Sequence, residues 1–223
     1  MSTASIVSAG SAVAHVRGHA APRWSAGKLG LLALFLLGAQ CGPPESVHPL
    51  SDPSQAKPDL RLVGKWVGVE QGAESRENLI FESVDEHWMR VRILDEGERE
   101  KPIPTFVTDL DGKTYLNLEH DSDDPNSPGK GYLIVHYELA ADGTMRVGLM
   151  DEKFIGRCIT EGRLQGTIRG EGDSRSVRIT ESTERLVEFV RNTPAEELFS
   201  YSERWRKVEA AEKAPPQPER QPG

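Results

Sequence analysis

Between about residues 60 and 208, apolar side chains return at every second position in one segment after another. This alternation limits the fold more than any other feature of the chain. A period of two puts successive side chains on opposite faces of an extended strand. His87–Leu94 sets Met89, Val91 and Ile93 on one face, with Arg90 and Arg92 on the other. Tyr132–Leu139 gathers Leu133, Val135, Tyr137 and Leu139 opposite His136 and Glu138. After Ala141-Asp142-Gly143, the positions Met145, Val147 and Leu149 repeat the pattern, so these two segments read as a hairpin. A second hairpin runs from Thr105–Leu110 through Asp111-Gly112 to Lys113–Leu118, and its Asp-Gly pair suits a type I′ turn. Shorter strands are predicted at Gly64–Val69, Leu79–Val84, Leu164–Arg169 and Val177–Thr180, with an edge strand near Glu203–Val208.

Helical signals are scarce and late. Ser182 or Thr180 can cap a segment with Glu181 and Glu184 in its first turn, and Leu186, Phe189, Val190 and Thr193 share one of its faces. Pro194 ends it. Thr193-Pro-Ala-Glu196 has the form of a capping box opening a second short helix through Leu198 and Phe199. A third helix is predicted over Asp151–Glu161, with Phe154, Ile155, Cys158 and Ile159 on one side and Gly162 ending it. The expectation is a mostly β fold, an antiparallel meander closing into a small barrel, with one or two short C-terminal helices.

The ends differ from this body. Leu29–Gly38 is a run of about ten apolar residues behind Arg23 and Lys28. That is too short to span a bilayer but fits the apolar region of a signal peptide. The stretch before Arg23 is long for a leader, and Val16 is an alternative start. Next comes Leu37-Gly-Ala-Gln-Cys41-Gly-Pro-Pro, which resembles the lipobox of bacterial lipoproteins. Gly38 and Gln40 stand where that family usually has Leu and a small residue. The resemblance implies diacylglycerol on Cys41, cleavage before it and a lipid anchor. Without an acidic retention signal after Cys41, it favours the outer membrane where two membranes exist. Cleavage near Ala39 into a periplasmic or secreted form, and an uncleaved anchor, are the alternatives. Residues 41–59 carry five prolines and no periodicity, and are expected to form an extended tether. Residues 209–223, with four more prolines, read as a disordered tail. The domain is thus placed at 60–208.

Leu62-Val-Gly64-Lys-Trp66 resembles the Gly-x-Trp opening of the first strand in lipocalins and related small barrels. That likeness implies a Trp66 plugging a closed end, a C-terminal helix packed outside and a last strand after it. Leu186–Val208 is similar to the corresponding stretch of uncharacterised bacterial lipoproteins that share this order of elements. No activity is implied by that similarity.

Charge and motifs narrow the function. Removing residues 1–40 takes away three basic residues and no acid, leaving 24 basic against 35 acidic residues, a net of about −11. No basic stripe offsets this, so nucleic acid is not an expected partner. Gly-x-Ser-x-Gly, His-Glu-x-x-His, P-loop and dinucleotide fingerprints are all absent. Glu119–Asn126 is dense in oxygen ligands, but counting from Asp121 an EF-hand loop would need Gly and Glu where Asn126 and Tyr132 stand. It reads as a solvated acidic loop. Neither a metal nor a cofactor is expected. Cys158 reads as a small buried residue if Cys41 is acylated; otherwise the two cysteines can bridge. Trp66, Trp88 and Trp205 are the large side chains to place, with Trp88 on the arginine face of its strand. The leading functional expectation is a non-enzymatic binding module on a membrane, taking a small apolar ligand or an envelope protein. The alternative is an envelope hydrolase assembled from scattered residues such as His120, His136 and Asp109.

Overall fold

The structure, a computed structural model, describes residues 42–70, 73–94, 102–121, 129–170 and 175–208. Its strands are β1 (Glu45–Ser46), β2 (Gly64–Glu70), β3 (Ala73–Ser83), β4 (Met89–Leu94), β5 (Ile103–Leu110), β6 (Lys113–Asp121), β7 (Lys130–Leu139), β8 (Thr144–Met150), β9 (Gly166–Arg169), β10 (Ser176–Ile179) and β11 (Phe199–Val208). The helices are α1 (Glu152–Thr160), α2 (Thr183–Asn192) and α3 (Ala195–Leu198). Strands β2 to β8 form an antiparallel meander in which β6 pairs with β7, and β11 closes the ring between β8 and β2. The result is a closed eight-stranded antiparallel barrel. β11 is therefore a central strand rather than the edge strand expected at Glu203–Val208. Closure pairs both of its edges, with β8 on one side and β2 on the other.

The alternation read from the sequence builds the lumen. Met89, Val91, Ile93, Val135, Tyr137, Met145 and Leu149 are buried together with Leu79, Phe81, Val107 and Leu116. Both Asp-Gly turns form. Asp111 and Gly112 have φ of 56° and 80°, the paired positive values of a type I′ turn. Three tight connections lie at one end of the barrel, after β3, β5 and β7. β2, β4 and β6 finish at the other end, where the long excursion from β8 to β11 also begins.

That excursion covers the outer wall. Asp151 caps α1 by accepting the Phe154 N–H at 2.7 Å, and Gly162 comes after it at φ 73°. Ser182 caps α2, Leu186 and Val190 are its buried residues, and the helix ends at Asn192 before Pro194. The expected capping box at Thr193 does not form. Its hydroxyl donates to the Phe189 carbonyl, and Pro194 is itself the N-cap of α3, without a side-chain bond. The helices, β9, β10 and the outer faces of β5 to β8 and β11 enclose a second core. It contains Tyr115, Ile134, Phe154, Ile155, Ile179, Leu186, Leu198 and Phe199.

Residues 42–59 are not the tether that their prolines suggested. They lie along the barrel wall. β1 pairs antiparallel with Tyr132 and Leu133 of β7, and parallel with Arg178 and Ile179 of β10. The Leu50 side chain is 1% exposed, and its N–H donates to Asn117 Oδ1 at 2.8 Å. Ser51 and Thr108 share a hydroxyl bond at 2.6 Å, and the Thr183 hydroxyl donates to the Pro49 carbonyl. Proline here fixes a docked path instead of a free one, because β7, β10 and Asn117 supply the partners of its backbone. The ordered unit therefore starts at least as early as residue 42, not at 60.

Candidate functional site

Two ends of one lumen differ in how they are filled. At the tight-turn end, Leu62, Trp66, Tyr137, Met145 and Trp205 pack together, all at 2% exposure or less. The Trp66 indole donates to the Leu62 carbonyl at 2.7 Å, which holds the ring across the barrel end. The Tyr137 hydroxyl donates to Asp59 Oδ2 at 2.8 Å, fastening the turn before β2 under that end. Gly68 pairs with Trp205 across the ladder, and a Cβ at that position would overlap the Ser75 hydroxyl. Toward the other end the side chains are aliphatic. Ile93, Ile103, Leu118, Leu133 and Leu149 help line a cavity of about 60 Å³, with Pro43 in its wall and no polar group among its lining residues. A water placed there would find no side-chain partner for its hydrogen bonds.

Pro43 is held there by the segment after it. Glu45 accepts from Arg178 Nη1 at 2.5 Å, and the Arg178 side chain is only 7% exposed. His120 Nε2 lies 3.9 Å from the same carboxylate. Gly131 faces this carboxylate, and a Cβ at that position would overlap it. Sequence patterning carries little sign of this clasp, because its partners are 133 residues apart. Cys41 and residues 1–40 lie outside the described residues.

The residues considered for a hydrolase are not brought together. His136 pairs with Tyr115 in the β6–β7 ladder, five positions from His120, or about 17 Å along the strand. Asp109 accepts the Gly112 N–H in the β5–β6 turn and shares the parity of lumen-facing Val107, whereas His136 faces outward. His136 is 2% exposed, with Nδ1 2.6 Å from the Tyr201 hydroxyl and its ring beside Tyr115 and Phe199. Burial lowers its pKa below the usual histidine value and pushes Tyr201 up to about 12. His136 is thus a buried, hydrogen-bonded histidine of the outer wall. A signal was present in the run from Tyr132 to Tyr137, which interrupts alternation with Ile134 and indicates burial on both faces.

Of the acidic segment, Glu119 receives Lys130 Nζ at 2.5 Å and the Tyr132 hydroxyl at 3.3 Å, and Asp121 ends β6. Residues 122–126 lie outside the described residues. Among the described residues no three His, Cys, Asp or Glu side chains stand close enough to hold a metal ion. Cys158 is free and fully buried in α1, where burial raises its thiol pKa. Trp88 precedes β4 and stands edge-on to Phe106 at 5.1 Å, half-buried beside a surface groove. That groove is lined by Val84, Arg90, Pro102, Pro104, Glu119 and Lys130 among others, and Val84 is 54% exposed. No described helix is long and apolar enough to cross a membrane.

No family model, curated protein or solved structure matches the chain.

Proposed function

We propose that this chain is an exported, lipid-anchored protein of the cell envelope that works as a non-enzymatic interaction module, binding a protein partner on its outer surface. The observation that carries this reading is the size of the lumen cavity. About 60 Å³ is far below the roughly 300–1,000 Å³ of small-molecule sites. Trp66, Trp205 and Tyr137 fill the barrel as a core, so the barrel acts as a rigid scaffold for its exterior. The separation of His120, His136 and Asp109 supports this class over the hydrolase assembled from them. The face best furnished for a partner is the groove beside Trp88, with an aromatic and two prolines bordered by Arg90 and the Glu119–Lys130 pair. Apolar centres with charged rims and Trp or Arg anchors are the usual make-up of protein contacts.

The test has two arms. An environment-sensitive apolar fluorophore titrated into the full chain should show no saturable binding. Crosslinking in the native bacterium should capture an envelope protein, and Trp88→Ala should lose that product while the variant keeps its fold. Saturable, stoichiometric fluorophore binding that displaces Pro43 would overturn this reading in favour of an apolar-ligand carrier.

A further inference from the structure

Resting on the lipid-anchor reading of Cys41, we infer that the barrel lies directly on the bilayer, with the end bearing Pro43 turned toward the phospholipid headgroups. One residue, Gly42, lies between Cys41 and Pro43, and two peptide steps reach at most about 7 Å. Pro43 is not free to trail. It borders the lumen cavity, Pro44 behind it is buried, and β1 is hydrogen-bonded on both sides. The Arg178–Glu45 pair pins the same segment through a nearly buried guanidinium. A lipid on Cys41 is therefore attached to a fixed point of the fold, with no leash between them.

The end that this fixes is the one where β6 finishes at Asp121 and β7 starts at Lys130. Both residues are exposed and charged, and Gly42 is exposed as well. Charged rims suit the headgroup layer and resist entry into hydrocarbon, so the barrel rests on the surface without inserting. The Trp66 end then faces away, because a strand of ten residues such as β7 spans about 30 Å. Thr183 and Pro49 join α2 to the same docked segment, so the outer core cannot swing independently of the anchor.

The experiment uses the full chain, exported and processed in a lipoprotein-acylating bacterium, then returned to phosphatidylcholine vesicles carrying headgroup nitroxide lipids. Two single variants supply a fluorescent label, Lys130→Cys at the Pro43 end and Lys113→Cys at the opposite end. Both native positions are exposed, and buried Cys158 is shielded from the reagent. The mass of the N-terminal peptide is read first. With Cys41 acylated, the label at 130 should be quenched several-fold more than the label at 113. Inserting about a dozen Gly/Ser residues between Gly42 and Pro43 should erase the difference, because a flexible linker frees the orientation. Equal or reversed quenching on an acylated chain overturns the orientation and leaves the anchor standing. An N-terminal peptide without lipid, on a chain that does not sediment with vesicles, overturns the anchor reading and the orientation with it.

Discussion

The inside and the outside of this barrel wall are both buried, yet they are built by different means. The lumen is filled from within one continuous meander plus β11, by side chains that alternate along neighbouring strands. The outer core is gathered from distant parts of the chain: Leu50, the outer faces of β5 to β7, and helix residues as late as Leu198. Its polar groups differ as well. Asn117, Thr108 and His136 are buried on the outer side; the first two bond Leu50 and Ser51 of the docked segment, and His136 bonds Tyr201 of the closing strand β11. Local repetition produces an apolar core, while docking of remote segments requires specific hydrogen bonds to fix where they land.

The sharpest way to break this comparison is to remove Trp66. Its ring is 2% exposed, and truncation of a buried Trp costs about 3–5 kcal/mol. Against the roughly 5–15 kcal/mol that holds a domain together, Trp66→Ala should lower the urea midpoint steeply or leave the chain unfolded. On the outer side, Leu186→Ala removes a side chain at 0% exposure and should cost about 2–5 kcal/mol. The two cores share β6, β7 and β8 as a common wall, so both variants should melt in one transition by fluorescence and by circular dichroism. A biphasic melt for Leu186→Ala alone would mean that the helices and β9–β10 form a separately stable unit. Trp88→Ala, at a half-buried site, should cost much less than Trp66→Ala. The reverse ranking would exchange the roles assigned to the two rings.

These differences also explain what could be read from the sequence. Met89, Val91 and Ile93 announced their face, because alternation is a local signal, and Asp111-Gly112 announced its turn through backbone geometry. Ser182, one of two candidate caps, marked α2, and the shared face of Phe154, Ile155 and Cys158 marked α1. The docking of Leu50 on Asn117 left no comparable trace, since neither residue belongs to a pattern and 67 positions separate them. Five prolines in a row of polar residues describe an extended path, but not whether the path is solvated or packed. The lumen cavity was illegible for another reason: its volume depends on how side chains from six strands and Pro43 interlock, and alternation specifies only which strand residues point inward.

The docked segment supplies the next effect in size. A chain beginning at residue 59 loses β1, Leu50 and the Ser51–Thr108 bond, and leaves Asn117 Oδ1 without the Leu50 N–H. A single buried polar group stripped of its partner costs about 1–3 kcal/mol, and the burial of Leu50 adds to that. The shortened chain should therefore unfold at a clearly lower urea concentration than one beginning at residue 42. Asn117→Ala in the longer chain should reproduce about 1–3 kcal/mol of the loss. Equal midpoints for the two chain lengths would return residues 42–58 to the status of a passive linker.

The smallest effect distinguishes the two cores by their response to acid. His136 sits in the outer core with its pKa held below the ordinary value of 6.5, first by burial, with Lys113 and Arg146 acting in the same direction and Glu138 and Glu196 opposing them. A base that the folded chain keeps neutral favours folding in full above the unfolded-state pKa. As pH falls below about 6.5, the unfolded chain takes up a proton that the folded chain refuses, and stability declines. One such proton changes stability by at most about 1.4 kcal/mol per pH unit. His136→Phe keeps a ring among Tyr115, Phe199 and Tyr201 but cannot titrate. Urea midpoints measured between about pH 8 and pH 5 should therefore fall more steeply for the native chain than for this variant. The carboxylates common to both cancel in the difference, so what remains belongs to position 136. Identical slopes would show that the folded chain accepts the proton on His136, with water or Glu138 reaching the ring, and the outer core would then be wetter than its packing with Phe199 and Tyr201 implies.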